Sequence, residues 1–230
     1  MGVRPVPDLV TALVLFDLDG TLVDSSPGIA ASLAAAADGA GVPRPDADQV
    51  RALLGPPFPQ AFVDVLGHDP ATAEAMMDAY REVYAAGGLY DVTVFDGVPA
   101  MLARLAKAGH RPALTTSKPD VYAREVLRHV GLDAAFDAGV FGATLDGSLA
   151  GKAAVVDLAL QTCDGPVVAL VGDRHHDVDG AHAHDLPAVG VTWGFGGAAE
   201  LRAAGADHLV DSPAALGELL EQLAAVCPAR

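Results

Sequence analysis

Ala12-Leu13-Val14-Leu15-Phe16-Asp17-Leu18-Asp19-Gly20-Thr21-Leu22-Val23-Asp24-Ser25 is the stretch from which the fold is read. An apolar run stops at two aspartates one residue apart, and Gly20-Thr21 then turns the backbone away. This is the pattern of a buried strand that delivers carboxylates at its carboxyl end. Ligands of an open α/β sheet bind outside the carboxyl ends of its strands, so these acids belong to a site and not to a solvated face. Side chains alternate along an extended segment, which turns Asp17 and Asp19 to the same side. Two such carboxylates repel unless a cation lies between them, and hard oxygen donors with no thiolate or imidazole beside them suit Mg²⁺. A calcium loop is the competing reading of Asp-x-Asp-Gly. It needs further acids at alternate positions and a glutamate at the twelfth, where this chain has Thr21, Val23 and Gly28.

The bulk numbers narrow the partners. A chain of 230 residues with 51% hydrophobic content suffices for one large domain or a domain carrying an insertion. A net charge of -16 with only 14 basic residues argues against nucleic acid or an anionic membrane as the main partner. Cys163 and Cys227 read as free thiols of a reducing compartment, since a chain of this size needs no disulfide. Residues 9–16 are too few to span a bilayer or form a signal core. A soluble, cytoplasmic protein, monomer or homodimer, is the expectation.

Outward from the first strand, Ser26-Pro27 starts a helix that continues over Ile29 to Ala40. From Pro43 to about Gly88 only helical patterns occur, the last opened by Asp69-Pro70. There Ala73, Met76, Met77, Tyr80, Val83 and Tyr84 make one apolar stripe, which assigns the methionines to the core. Beyond Asp96-Gly97, helices alternate with short apolar strands: Pro112–Thr116, Ala138–Phe141, Pro166–Val171, Ala188–Thr192 and His208–Val210. Alternation implies an α/β fold with a doubly wound parallel sheet covered on both faces. The division expected is a Rossmann-like core of residues 1–24 and 96–230 and an inserted all-helical cap domain of residues 25–95. Such an insertion leaves from the carboxyl edge and sits over the site.

Other strand ends carry further candidates. Leu114-Thr115-Thr116-Ser117-Lys118-Pro119 puts a hydroxyl where a strand meets a helix amino terminus, an anion site; helix capping by Thr116 and Ser117 is the alternative. Lys152 opens a helix after Gly151, where the helix dipole disfavours a cation unless something negative compensates it. Val168-Ala169-Leu170-Val171-Gly172-Asp173-Arg174-His175-His176-Asp177 is a second apolar strand ending in acids, and paired acids on two strands of one sheet exceed what capping explains. His175, His176, His182 and His184 raise a zinc reading, but His182 and His184 are two apart and diverge on a helix.

Phe16-Asp17-Leu18-Asp19-Gly20-Thr21-Leu22-Val23-Asp24-Ser25 resembles the first motif of the haloacid dehalogenase-like hydrolase superfamily, and the likeness extends over nearly all the chain. The resemblance implies Asp17 as nucleophile and Asp19 as general acid and base, with Gly20 in the same loop beside the substrate. It implies Thr116 and Ser117 as phosphate ligands and Lys152 as the bridge between nucleophile and phosphate, with Lys118 as rival and substrate contact. Many members carry Lys-Pro where this chain has Lys152-Ala153. Asp173 and Asp177 match Gly-Asp-x-x-x-Asp and would hold Mg²⁺ with Asp17 and the main-chain oxygen of Asp19. Gly55-Pro56-Pro57, Leu145-Asp146-Gly147 and Gly172-Asp173-Arg174 resemble the phosphoglycolate phosphatase and 5′-nucleotidase-like branch. The function expected is Mg²⁺-dependent hydrolysis of a small phosphomonoester, of phosphoglycolate, nucleotide or sugar phosphate type, through an aspartyl phosphate. Phosphosugar mutase and 2-haloacid dehalogenase are the alternatives on the same fold. A non-enzymatic binding protein would have lost a motif acid, and none is lost. Arg51 is the candidate cap contact for a substrate anion.

Overall fold

Leu13–Phe16 (β1) is apolar throughout, so the strand must be covered on both faces. Val14 and Phe16 enter one hydrophobic cluster while Leu13 and Leu15 enter another, as the two-residue period of a strand requires. The computed structural model describes residues 12–55, 58 and 60–227. Pro56, Pro57 and Pro59 of the cap segment lie outside these residues.

After β1 come a short strand Val23–Asp24 (β2), the helices Ser26–Ala40 (α1), Ala47–Leu53 (α2), Gln60–Asp64 (α3) and Pro70–Ala86 (α4), and a short strand Thr93–Val94 (β3). Alternation follows: Val98–Lys107 (α5), Arg111–Pro119 (β4), Asp120–His129 (α6), Val140–Ala143 (β5), Lys152–Thr162 (α7), Val167–Gly172 (β6) and His175–His182 (α8). Ala188–Val191 (β7), Gly197–Ala204 (α9), His208–Val210 (β8) and Pro213–Val226 (α10) complete it. Six strands form one sheet in the order β5-β4-β1-β6-β7-β8, every neighbouring pair parallel. The chain winds out from β1 to β5, crosses back to β6 and winds out to β8. β1 therefore lies between β4 and β6 at the topological switch point, where open α/β sheets bind ligands. This is the doubly wound α/β fold expected from the alternation.

Apolar side chains of α5, α6 and α10 cover the Val14 and Phe16 face, and those of α7, α8 and α9 cover the other. The inserted helices continue the first cluster: Leu33, Phe62 and Met76 belong to it and are fully buried. β2 and β3 pair antiparallel, so the chain leaves and rejoins the sheet through a two-stranded ribbon. Its strands are too short for periodicity to register, and the sequence reading lacks them. α4 starts where Asp69-Pro70 places it, the Asp69 carboxylate accepting from Ala71 N and Thr72 N. α1 departs from the expected cap by one residue. Ser26 is its first residue, and Asp24 Oδ1 accepts from both Ser26 N (2.9 Å) and Ser26 Oγ (2.6 Å). Met76 is core as expected; Met77 instead lines a cavity.

Close approach of backbones fixes the first inserted helix. A Cβ on Gly28 of α1 would lie 2.0 Å from Gly88 O and 2.9 Å from Asp91 O, backbone atoms with nowhere to move. Gly28→Ala is therefore expected to destabilise by about 1–3 kcal/mol, roughly 2–4 °C in melting temperature per kcal/mol for a chain of this size. Gly39→Ala in the same helix should do the reverse, since its Cβ would meet only Ala79 Cβ at 3.9 Å and alanine is the better helix former. Thermal melts of both variants check the packing; equal shifts would refute it.

Candidate active site

The carboxyl ends of β1 and β6 bring Asp17 and Asp173 together, and the first turn of α8 adds Asp177. Their carboxylate oxygens lie within 4.8 Å of one another, and all three residues are buried. Lys152, the first residue of α7, is buried among them: its Nζ stands 2.6 Å from Asp17 Oδ1 and 2.7 Å from Asp177 Oδ1, and donates to Thr115 O at 2.8 Å. These acids are the compensation that a cation at a helix amino terminus needs.

Asp177 divides its oxygens. Oδ2 accepts from Asp173 N (3.1 Å) and Arg174 N (3.0 Å), which starts α8 at His175. Oδ1 is buried, ion-paired with Lys152 Nζ but out of hydrogen-bond alignment with it, so it keeps lone-pair capacity for a further cation. Asp173 is fully buried and accepts from Thr21 Oγ1 (3.2 Å) and Phe195 N (2.7 Å). Gly20 makes room for it: at φ +86° its missing Cβ would lie 2.3 Å from Asp173 Oδ2. Three clustered carboxylates, offering hard oxygen ligands and no thiolate or imidazole, fit a small hard cation such as Mg²⁺.

Burial pushes the Asp17 carboxyl up, Lys152 pulls it down and Asp177 pushes it up again, leaving it at about 6. Burial, Asp177 and Asp17 also raise Asp173 well above the carboxylate range. Burial disfavours the Lys152 ammonium, yet Asp17 and Asp177 outweigh it and hold that lysine above its ordinary value.

Asp19 lines the same cavity but stands outside the carboxylate cluster, because Lys118 Nζ takes both its oxygens at 2.8 Å. Thr116 Oγ1 accepts from Lys118 N at 3.2 Å, so its own proton is what it can offer a ligand. β4 runs on to Pro119, and α6 begins at Asp120 with no side-chain cap. Thr116 and Ser117 therefore do not cap that helix, and both line the cavity.

The family model described as haloacid dehalogenase-like hydrolase matches residues 14–191. The chain belongs to that family. It is 39% identical over 215 residues to a 5′-nucleotidase of Pseudomonas aeruginosa, a match covering 90% of this chain and 95% of that one. A phosphoglycolate phosphatase of Xanthomonas campestris is 31% identical over 213 residues, 89% of this chain and 94% of the other. A tyrosine-protein kinase, PtkA of Mycobacterium tuberculosis, is 42% identical over 186 residues, 80% of this chain and 63% of that protein. The crystal structure of a predicted phosphatase from Clostridium acetobutylicum superposes with a TM-score of 0.85 at 34% identity, covering 93% of this chain and 99% of that one.

For a haloacid dehalogenase-like hydrolase, the inserted helices contribute more to the cavity than the sequence reading foresaw. Arg51 is exposed on α2, does not line the cavity, and uses its carbonyl, not its guanidinium, toward the core. Arg81 of α4 lines the cavity instead, four residues after Met77 and three before Tyr84, positions that share a helix face. Tyr80, Tyr84, Tyr122 and Phe58 add aromatic walls. Arg174 joins the two parts of the chain: Glu200 Oε1 holds its Nε at 2.8 Å while its Nη1 donates to Leu54 O, at the end of α2. Burial works to raise the Glu200 carboxyl, but the His175 amide and Arg174 bring it down to about 2. The histidines disperse, His182 to Asp207 and His184 to Ala153 O. Among the described residues, His175 and His176 group with Asp179 within 4.8 Å, but His175 is already held by Glu200. Cys163 and Cys227 are free. Among the described residues no helix is long and apolar enough to cross a membrane.

The raised carboxyls set a sign for metal-free stability. Folded Asp17 keeps its proton to about pH 6, whereas the unfolded chain releases it near pH 4. Stability from this group is complete below about pH 4 and is lost as pH rises through about 6. With chelator present, the melting temperature is expected to fall between pH 5 and 7, and Asp17→Asn should flatten that fall. The stabilisation by added Mg²⁺ should grow over the same range. A wild-type melting temperature that climbs from pH 5 to 7 with the same slope in Asp17→Asn would contradict the cluster electrostatics.

Proposed function

We propose that the chain is a phosphatase for small phosphomonoesters, with Asp17 as nucleophile and Mg²⁺ as cofactor. The observation that carries this reading is the buried cluster of Asp17, Asp173 and Asp177 around Lys152 at the switch point of the sheet. Phosphate-ester hydrolysis by the 5′-nucleotidase and phosphoglycolate phosphatase relatives supports it by name. Asp17, Asp173 and Asp177, with the main-chain oxygen of Asp19, would hold Mg²⁺, which when bound supplies positive charge to the phosphoryl oxygens.

The chain's own groups do the rest. Asp17 attacks phosphorus in line, forming an aspartyl phosphate as the bond to the leaving oxygen breaks. Lys152 keeps the Asp17 oxygen in place and neutralises part of the charge. The Thr116 hydroxyl and the Ser117 amide donate to equatorial oxygens. Asp19 protonates the departing alkoxide, then takes a proton from the water that cleaves the intermediate. Since Lys118 occupies both Asp19 oxygens, one must leave the lysine before it can serve, and the lysine is then available to the substrate. The segment 25–95 acts as the cap that covers this centre, and Gly20 lets the backbone pass it closely. Asp19 has no work to do in halide departure, which disfavours dehalogenation; release of free phosphate separates hydrolysis from mutase chemistry.

Phosphate release from 4-nitrophenyl phosphate and from alkyl phosphates, with Mg²⁺ and with chelator, tests the reading. Release is expected only with the metal, and Asp17→Asn should abolish it. Asp19→Asn should cost about a hundredfold or more on an alkyl ester and clearly less on the nitrophenyl ester, whose leaving group needs no proton. Activity that survives chelation, or equal losses on both esters, would sink the corresponding assignment.

A further inference from the structure

The cavity over the carboxylates has a volume of about 280 Å³ and is lined from both sides of the cap boundary. Four cationic side chains border it: Lys118, Lys152, Arg174 and Arg81. Three are already hydrogen-bonded to a carboxylate of the chain, Lys118 to Asp19, Lys152 to Asp17 and Arg174 to Glu200. Arg81 is not. Its one acidic neighbour among the described residues, Asp78, stands 3.8 Å from Nη1 and is 83% exposed, an ion pair of little strength. Nη2 donates to Leu145 O at 3.3 Å, and Nε is buried with no acceptor. The one acid on the Leu145 loop that borders the cavity, Asp146, is tied to its own turn by Ser148 N and Ser148 Oγ.

A buried guanidinium N–H without an acceptor is costly, and it is costly on a wall where a ligand passes. The rest of that wall is built largely of flat aromatic rings, with the Tyr84 hydroxyl buried there without a partner. Tyr80 and Tyr84 stack with centroids 5.2 Å apart, Phe58 meets Tyr80 edge-on at 5.1 Å, and Tyr122 meets Tyr84 at 5.8 Å. Such surroundings are poor for a compact, fully hydrated polyol or a two-carbon acid, whose polar groups would lose water without replacement. They suit a planar ring, which stacks or packs edge-on.

Resting on the phosphatase reading above, we propose that Arg81 and the aromatic wall of the cap form a leaving-group subsite. It selects phosphomonoesters whose leaving group is a flat ring bearing a carboxylate or carbonyl acceptor, with the Arg81 fork as the donor. Arg81 is a specificity-determining residue here and takes no part in phosphoryl transfer.

Phenyl phosphate, 3- and 4-carboxyphenyl phosphate and glycerol phosphate are the probes, used with wild type, Arg81→Gln and Arg81→Lys in the presence of Mg²⁺. Wild type should show a higher kcat/KM for at least one carboxyphenyl ester than for phenyl phosphate, and the lowest for glycerol phosphate. The ratio of carboxyphenyl to phenyl kcat/KM should fall at least about tenfold in Arg81→Gln, the change lying mostly in KM, as loss of one charge-assisted hydrogen bond implies. Arg81→Lys, which keeps the charge but loses the fork, should fall between the two. A ratio unchanged in both variants, or equal losses on all four esters, would overturn the subsite and leave Arg81 as a clasp to Leu145. Wild type releasing phosphate from none of the esters would instead overturn the phosphatase reading itself.

Discussion

Everything in this molecule is arranged around one buried ammonium group. Lys152 Nζ sits within 2.7 Å of both Asp17 and Asp177, and Asp173 adds a third carboxylate to the cluster. Like charges about 4 Å apart cost on the order of 4 kcal/mol per pair at an effective dielectric near 20, so the cluster could not persist without a cation inside it. The fold assembles the cluster from four separate elements. β1 and β6 are neighbours, which places Asp17 beside Asp173; α8 returns Asp177 over the end of β6; and α7 packs on α8 closely enough to insert the lysine stem. A Cβ on Gly180 would lie 2.5 Å from Lys152 Cγ, so even the packing of those two helices is set by the path of the lysine.

The same logic explains what could be read from the sequence and what could not. Strands covered on both faces are continuous apolar runs, so β1 and β6 announce themselves, and the acids that interrupt them mark the site. Lys152 is legible because a cation at a helix start is anomalous. The inserted helices hide their contribution. On α4 the apolar stripe looks like core all along, yet Met76 is buried in the cluster while Met77, one position round the helix, borders the cavity. Arg81 follows Met77 by four residues, and a charged residue at the margin of a stripe carries no mark distinguishing a solvated arginine from one turned inward. Arg51 drew notice by proximity to the Gly55 turn, whereas in the fold it is the backbone there that matters, through Leu54 O. Hairpin-length elements such as β2 and β3 are below the reach of periodicity altogether.

The boundary between sheet and inserted helices is crossed by the shared apolar cluster and also by a few polar, directional contacts. Arg174, set by Glu200, donates to the last carbonyls of the α2 region, which are short of donors like those at any helix end. Lys118 stands 5.3 Å from the Tyr84 ring centroid while it grips Asp19, so the residue assigned to proton transfer is linked to the α4 wall by a single side chain.

Charge also sets the terms on which an anion can enter. At the centre, among the described residues, the carboxylates of Asp17, Asp19 and Asp177 pair with the ammonium groups of Lys118 and Lys152, Asp173 stands beside them, and Arg174 is balanced by Glu200. When all four acids are ionised, the centre is short of two positive charges before any phosphate arrives. Burial first, and then the neighbouring carboxylates, raise the pKa of Asp17 and Asp173, so both tend to keep their protons. A phosphate dianion would deepen the deficit, so the bare centre repels the group it is built to process, in keeping with the chain's overall charge of -16. On the proposed function, a divalent cation held by these acids would supply the two missing charges and let the phosphate enter.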